Sequence, residues 1–233
     1  MNRFLRGASL AAALIVSTSM FFACGNNPNG KINKKDFEEK LTFINEVSDK
    51  ALNIEKGEIL VNETFTLEND IESVAKNRTI ETYVRFSNGP EMPDFELEKT
   101  TCLKGSEDVE RYTFVKSGET MFELFNGVGE YAEEAPDIYE ALRIDFDVDS
   151  IKNIEVLDAE KGNDCYKLTM VNEYANKFDK DSDGVKFDCT EVIISYYVDS
   201  LGHFTKRTCE ITTTLIANGE SQSMTQFIEA KIK

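Results

Sequence analysis

From residue 57 onward the chain is a succession of short runs in which apolar and polar residues alternate, parted by turn formers. Gly57 to Leu67 sets Ile59, Val61 and Phe65 against polar neighbours, as a strand with one buried face does. "RTIETYVRFS", "DFELEKTTCLKG", "VERYTFVK" and "ETMFELFNG" repeat the pattern, and "VKSGET" is a tight hairpin signal. After an interruption the pattern resumes through "IKNIEVLDA", "DCYKLTMVNEY", "CTEVIISYYVDS", "HFTKRTCEITTTLIA" and "SQSMTQFIEAKIK". About ten or eleven strands in hairpin order predict one wide antiparallel sheet. Left flat, such a sheet would keep an apolar face wet, so it must close, curl or be covered.

Two helical segments are available to cover it. Lys34 to Leu52 places Phe37, Leu41, Ile44, Val47 and Ala51 at steps of three and four, one face of an amphipathic helix. Asp137 to Arg143, opened by Pro136, predicts a short second helix with Ile138 and Leu142 on one side. The fold class expected is α+β, mostly antiparallel β: a curled, unclosed barrel wrapped over a leading helix and a short second one.

The N-terminal residues have a different character. Arg3 and Arg6 precede an uncharged apolar stretch, Ala8 to Phe22, which is the layout of an export signal. It is shorter than the roughly 20 apolar residues that cross a bilayer. Phe21-Phe22-Ala23-Cys24 resembles the lipobox of bacterial lipoproteins, in which a small residue precedes a cysteine that receives a diacylglyceryl group; Phe21 stands where leucine is usual. The alternative is an ordinary signal peptide with an incidental Cys24. "GNNPNGKINKK" then reads as a flexible tether. The organisation expected is a signal peptide over 1–23, a lipidated Cys24 with a tether over 24–35, and one β domain over 36–233.

Element order, the "YYVDSLGHFTKRTCEI" hairpin and the lipobox together resemble the LolA/LppX-like superfamily of envelope lipoproteins and lipoprotein carriers. The resemblance implies an unclosed barrel around helices, with apolar space between them that accommodates acyl chains. It carries over no individual ligand residue. From the residues themselves, Phe65, Phe86, Phe114, Phe122, Tyr196 and Met224 fall on alternating strand positions where they could line a concave ligand face. Equally, they could fill a packed core.

Asp179, Asp181, Asp183 and Gly184 match the opening of a calcium loop, D-x-D-x-D-G, whose alternate carboxylates suit a hard cation. The second half departs from the pattern: Thr190 stands at position twelve, with Glu191 one place late. Strand-like flanks exclude an EF-hand, leaving either a strand-flanked calcium loop or an acidic solvated hairpin. In "IDFDVDS", Asp145, Asp147 and Asp149 alternate with apolar residues and need no metal. Cys102, Cys165, Cys189 and Cys209 permit two bridges by number. Register argues against them, since it sets Cys209 opposite Ile193 and Cys165 opposite Val198; at most one disulfide is expected.

The formal net charge of −17 over 233 residues repels phosphate backbones and makes a nucleic-acid partner improbable. The single histidine, His203, lies in a hairpin turn, and no nucleophile elbow, zinc motif or P-loop occurs. The expected function is therefore that of a non-catalytic, monomeric lipoprotein, anchored to the outer face of a bacterial membrane, that binds a lipid or other hydrophobic molecule between sheet and helices. The alternative is an envelope interaction module with a filled core, perhaps calcium-stabilised.

Overall fold

A computed structural model describes residues 34–67, 78–89, 91–103, 109–159, 163–182, 185–217 and 219–233. Cys24, the signal, most of the tether and Asp183 lie outside the described residues. Twelve strands form one antiparallel sheet. They are β1 (Gly57–Leu67), β2 (Arg78–Ser87), β3 (Asp94–Leu103), β4 (Val109–Ser117), β5 (Thr120–Phe125), β6 (Val128–Tyr131), β7 (Ile151–Ala159), β8 (Asn163–Met170), β9 (Lys180–Ser182), β10 (Val185–Val198), β11 (Phe204–Ala217) and β12 (Glu220–Ile232). The order is β6-β5-β4-β3-β2-β1-β12-β11-β10-β8-β7, with β9 paired to β10.

The two strands beyond the sequence reading are β6 and β9, of four and three residues, too short to show alternation. Asn126 and Gly127, at φ +49° and +84°, form the two-residue turn that joins β5 to β6, with Phe125 opposite Val128. Positive φ at both positions is what a hairpin turn following the sheet twist requires, and Asn-Gly supplies it cheaply.

Chain order is hairpin-like within each half, but the halves join through sequence-distant strands. β1 pairs β12, with Ile59 opposite Ile232 and Val61 opposite Ala230. Exchanged backbone bonds between Glu58 and Lys233, each 2.9 Å, extend that seam. β6 and β7 end the sheet on opposite sides and are not paired to each other, so the barrel is unclosed.

Helix α1 (Lys34–Leu52) buries Phe37, Leu41, Ile44 and Val47, the stripe expected from its spacing, and also Ser48. Asp36 and Lys40, one turn apart, pair at 2.7 Å on its outer side. Eleven strands spaced about 4.8 Å apart would span roughly 50 Å if flat. Yet inner-face residues from Phe114 on β4 to Ile154 on β7 are buried beneath one long helix and the segments that join β6 to β7 and β8 to β9. A cover so narrow buries a face so wide only if the sheet curls around it.

The first of these segments, residues 132–150, leads from edge strand β6 to edge strand β7 and is here called the strap. The expected second helix over 137–143 is a single 3-10 turn, Glu140–Leu142, in which Leu142 N donates to Tyr139 O at 2.9 Å. Arg143 is already extended at ψ 150°, because the chain continues into the alternating "IDFDVDS" run. There Ile144, Phe146 and Val148 pack on the core while Asp145, Asp147 and Asp149 are exposed, as the alternation predicts. A further short helix, α2 (Asn172–Ala175), and a 3-10 turn, Asn176–Phe178, intervene between β8 and β9.

The register of the last hairpins differs from expectation by one residue. Cys209 lies opposite Ile194 and Cys165 opposite Tyr197. For Cys209 the cause is a shift of β10 against β11 between Tyr197 and Val198; for Cys165 it is that β8 and β10 are joined by helical turns and β9, and not by a simple turn. Neither difference brings two thiols together, and Cys102, Cys165, Cys189 and Cys209 are all free.

Candidate ligand-binding face

One residue from each of eleven strands forms a continuous row across the sheet: Val156, Tyr166, Tyr196, Arg207, Ala230, Val61, Thr82, Lys99, Tyr112, Phe125 and Val128. Because side chains alternate between faces, this row and those two residues away define the inner face. Phe65, Phe86, Phe114, Tyr196 and Met224 share that face by register, whereas Phe122, opposite Val115, lies on the outer one. Phe122 stands edge-on to Tyr131 there, at 5.7 Å.

The inward residues divide between two packed groups. Phe86 and Phe114 belong to one, with Ile59, Val84, Leu97, Ala230 and the strap residues Ile138, Tyr139 and Leu142. Tyr196 belongs to the other, with Leu168, Val192, Ile194 and the α1 residues Phe37, Leu41, Ile44 and Val47. Phe204 touches both. Phe65 is buried outside both groups, its ring 3.9 Å from the Arg78 guanidinium carbon.

Side chains thus occupy the space between sheet and cover. Where the two groups meet, a gap too tight to admit a water molecule is lined by Ser48, Ala51, Leu52, Leu142, Phe204 and Ile232. Small-molecule pockets measure roughly 300–1,000 Å³; this gap is closed even to water, so an acyl chain would enter only if the cover moved.

The cover is held in a way that bears on such movement. The strap is hydrogen-bonded to the sheet backbone at its two ends, from Ala132 N to Met121 O at 3.1 Å and from Val171 N to Ser150 O at 2.9 Å. Between them, the backbone bonds among the described residues are local to the strap. Side chains fasten the middle: Arg207 Nη1 donates to Ala141 O at 2.8 Å and Tyr174 OH to Asp145 Oδ1 at 2.9 Å; near the strap's end, Lys34 Nζ of α1 pairs with Asp149 at 2.6 Å.

Three polar groups under this cover were missed by sequence reasoning. Ser48 and Tyr139, 4% exposed each, have hydroxyls without a hydrogen-bond partner. Such orphans are uncommon in folded interiors, because an unmet buried hydroxyl costs free energy. Arg207 is the third, buried on β11 and bonded through Nε to Tyr196 OH at 3.2 Å. Its signal was available: in "FTKRTCEITTTL" it occupies the parity of Cys209 and Ile211, the inward one. Burial pushes the Tyr196 phenol up to about 12, against the opposing pull of Arg207, and the Cys209 thiol up to about 11.

No family model matches the chain, and no curated protein does. Solved structures similar to it include two of bacterial proteins. LprF from Mycobacterium bovis is 10% identical, with a TM-score of 0.41, covering 84% of this chain and 91% of that one. A DUF1329 family protein from Desulfovibrio piger is 10% identical, with a TM-score of 0.26, over 87% and 92%. Likenesses this loose assign no family.

On the two sides of the aspartate loop the described residues pair as antiparallel strands. Lys180–Ser182 pairs with Val185–Phe187, setting Asp181 opposite Lys186 along the ladder. Asp179, at its base, accepts from Cys189 N at 2.7 Å, a structural use for a carboxylate expected at a metal. His203 is exposed in the β10–β11 turn, where Asp199 Oδ1 accepts from the backbone N–H of Leu201 and of His203, each at 2.9 Å.

Proposed function

We propose that this chain is a membrane-anchored envelope lipoprotein of LolA/LppX-like architecture. It takes up a lipid or other hydrophobic molecule between the inner face of its sheet and the cover formed by α1 and the strap, and it catalyses no reaction. The observation carrying this reading is the nature of the cover. It lies across a wide apolar face, packs on it through side chains, and in mid-strap forms no backbone bond to the sheet among the described residues. Parting it exposes apolar surface that a ligand would cover again, at about 25 cal/mol per Å² removed from water. The anchor is Cys24, and the tether holds the domain off the bilayer; both belong to the proposal. A monomer suffices for this function.

The test is native mass spectrometry of the purified chain after incubation with a membrane lipid extract. Adducts of lipid mass at a one-to-one ratio support the reading. Bare polypeptide from several extracts would overturn it.

A second reading is favoured by the filled interior and the tightness of that gap. In it the domain is an envelope interaction module whose partner is another protein, with the aspartate loop as a calcium site that stiffens it. Calorimetric titration with calcium, using Asp181→Ala as control, separates the two: heat lost on that substitution supports the second.

A further inference from the structure

One positive charge lies where the strap meets the sheet. Arg207, 8% exposed, makes no ion pair among the described residues; its hydrogen bonds go to the Tyr196 hydroxyl and to the carbonyl of Ala141. Asp145, whose field reaches Tyr196 and Cys209, is engaged by Tyr174 and does not pair with it. Guanidinium stays protonated at any working pH, so the charge is permanent. An unneutralised buried ion is expensive, and an apolar residue of similar volume is often as stable or more so at such a place. Two hydrogen bonds and a cation–π contact with the Tyr196 ring, at 5.9 Å, offset part of that cost and leave the charge itself unneutralised.

Its surroundings point to a ligand. Ala141, which holds the guanidinium, adjoins Leu142, and Ala230, opposite Arg207 in the sheet, is two residues from Ile232. Leu142 and Ile232 both line the gap, and so does Ser48 with its unmet hydroxyl. An orphan donor thus lines this apolar gap, and a permanent cation lies behind its Leu142 and Ile232 wall.

We infer that the molecule bound between sheet and cover is a single-chain amphiphile with an anionic head, carboxylate or phosphate monoester, and that the head replaces the Ala141 carbonyl on Arg207. This rests on the reading above and names its ligand class. An anion adds charge–charge attraction, and room for a two-pronged bond to the guanidinium fork, to what a neutral carbonyl offers, so the exchange favours an anion. A neutral head gains nothing by it. The chain then lies along the apolar seam where the two packed groups meet, and Ser48 gains the acceptor it lacks.

The experiment measures binding of oleate, oleoyl lysophosphatidate and oleyl alcohol to the full chain by calorimetry, with native mass spectrometry to confirm stoichiometry. The wild type is expected to bind at least one anion tenfold or more tighter than the alcohol; which one distinguishes a carboxylate source from a phosphate source. Arg207→Met should abolish that preference while leaving alcohol binding within about twofold, and Arg207→Lys should keep part of it. Equal affinity of the wild type for all three, or a preference that survives in Arg207→Met, would overturn the inference. Wild-type comparison alone decides if Arg207→Met does not fold. Should no probe bind the wild type, the parent reading fails instead.

Discussion

Tyr174 on α2 donates its hydroxyl to Asp145 Oδ1 at 2.9 Å, so a four-residue helix after β8 fastens the middle of the strap. Burial, with Asp145 beside it, pushes the Tyr174 phenol well above its ordinary value, so it remains a donor throughout the neutral range. Tyr174→Phe keeps the ring contacts with Phe146 and Phe178 and removes only this bond. Loss of about 1 kcal/mol is expected in urea unfolding. Faster amide exchange across residues 140–150 should accompany it.

Phe114 and Phe122 resemble each other in sequence and differ in place. Phe114 is 1% exposed and stacked on Phe95, whereas Phe122 lies on the outer face against Tyr131. Phe114→Ala should cost about 3–5 kcal/mol, as truncation of a buried ring does. Phe122→Ala should cost about 1 kcal/mol, the scale of one aromatic pair. Chemical denaturation of both variants measures the difference, and equal losses would contradict the assignment of faces.

The chain should lose stability in alkali. Burial raises the phenols of Tyr166 and Tyr196 to about 12, while an unfolded tyrosine titrates near 10. Between those values the folded state holds protons that the unfolded state has released, so stability falls as pH rises from about 10 to 12 and is fully present below that window. Urea midpoints across the range should show the decline, and Tyr166→Phe should lessen it.

Cys24→Ala should abolish incorporation of labelled fatty acid and move the protein from the membrane fraction to the soluble one when it is expressed in a bacterium. Retention of label by the variant would place the anchor elsewhere.

What the sequence disclosed follows from how local each signal is. Ten strand runs and the stripe of α1 were legible because alternation and helical spacing are written in neighbouring residues. β6 and β9 escaped because three or four residues carry no period, although Asn126-Gly127 announced the first of them. Register was misread by one position because the shift between Tyr197 and Val198 is set by pairing with β11 and leaves no mark in composition. Arg207 was passed over for a different reason: its parity was visible, but the carbonyl it meets is 66 residues away, on the strap. Whether Phe86, Phe114 and Tyr196 filled a core or lined a hollow depended on how close the cover sits, which no local pattern encodes.

The junction of β1 with β12 has a consequence for biogenesis. Each half of the sheet zips up from adjacent hairpins, yet β1 has no second neighbour until β12, more than 150 residues later, has been made. Closing so large a loop is slow, and a topology dominated by such contacts folds late. The nascent chain should consequently stay open until β12 is available, and the seam between the two halves should be the last part of the sheet to zip shut.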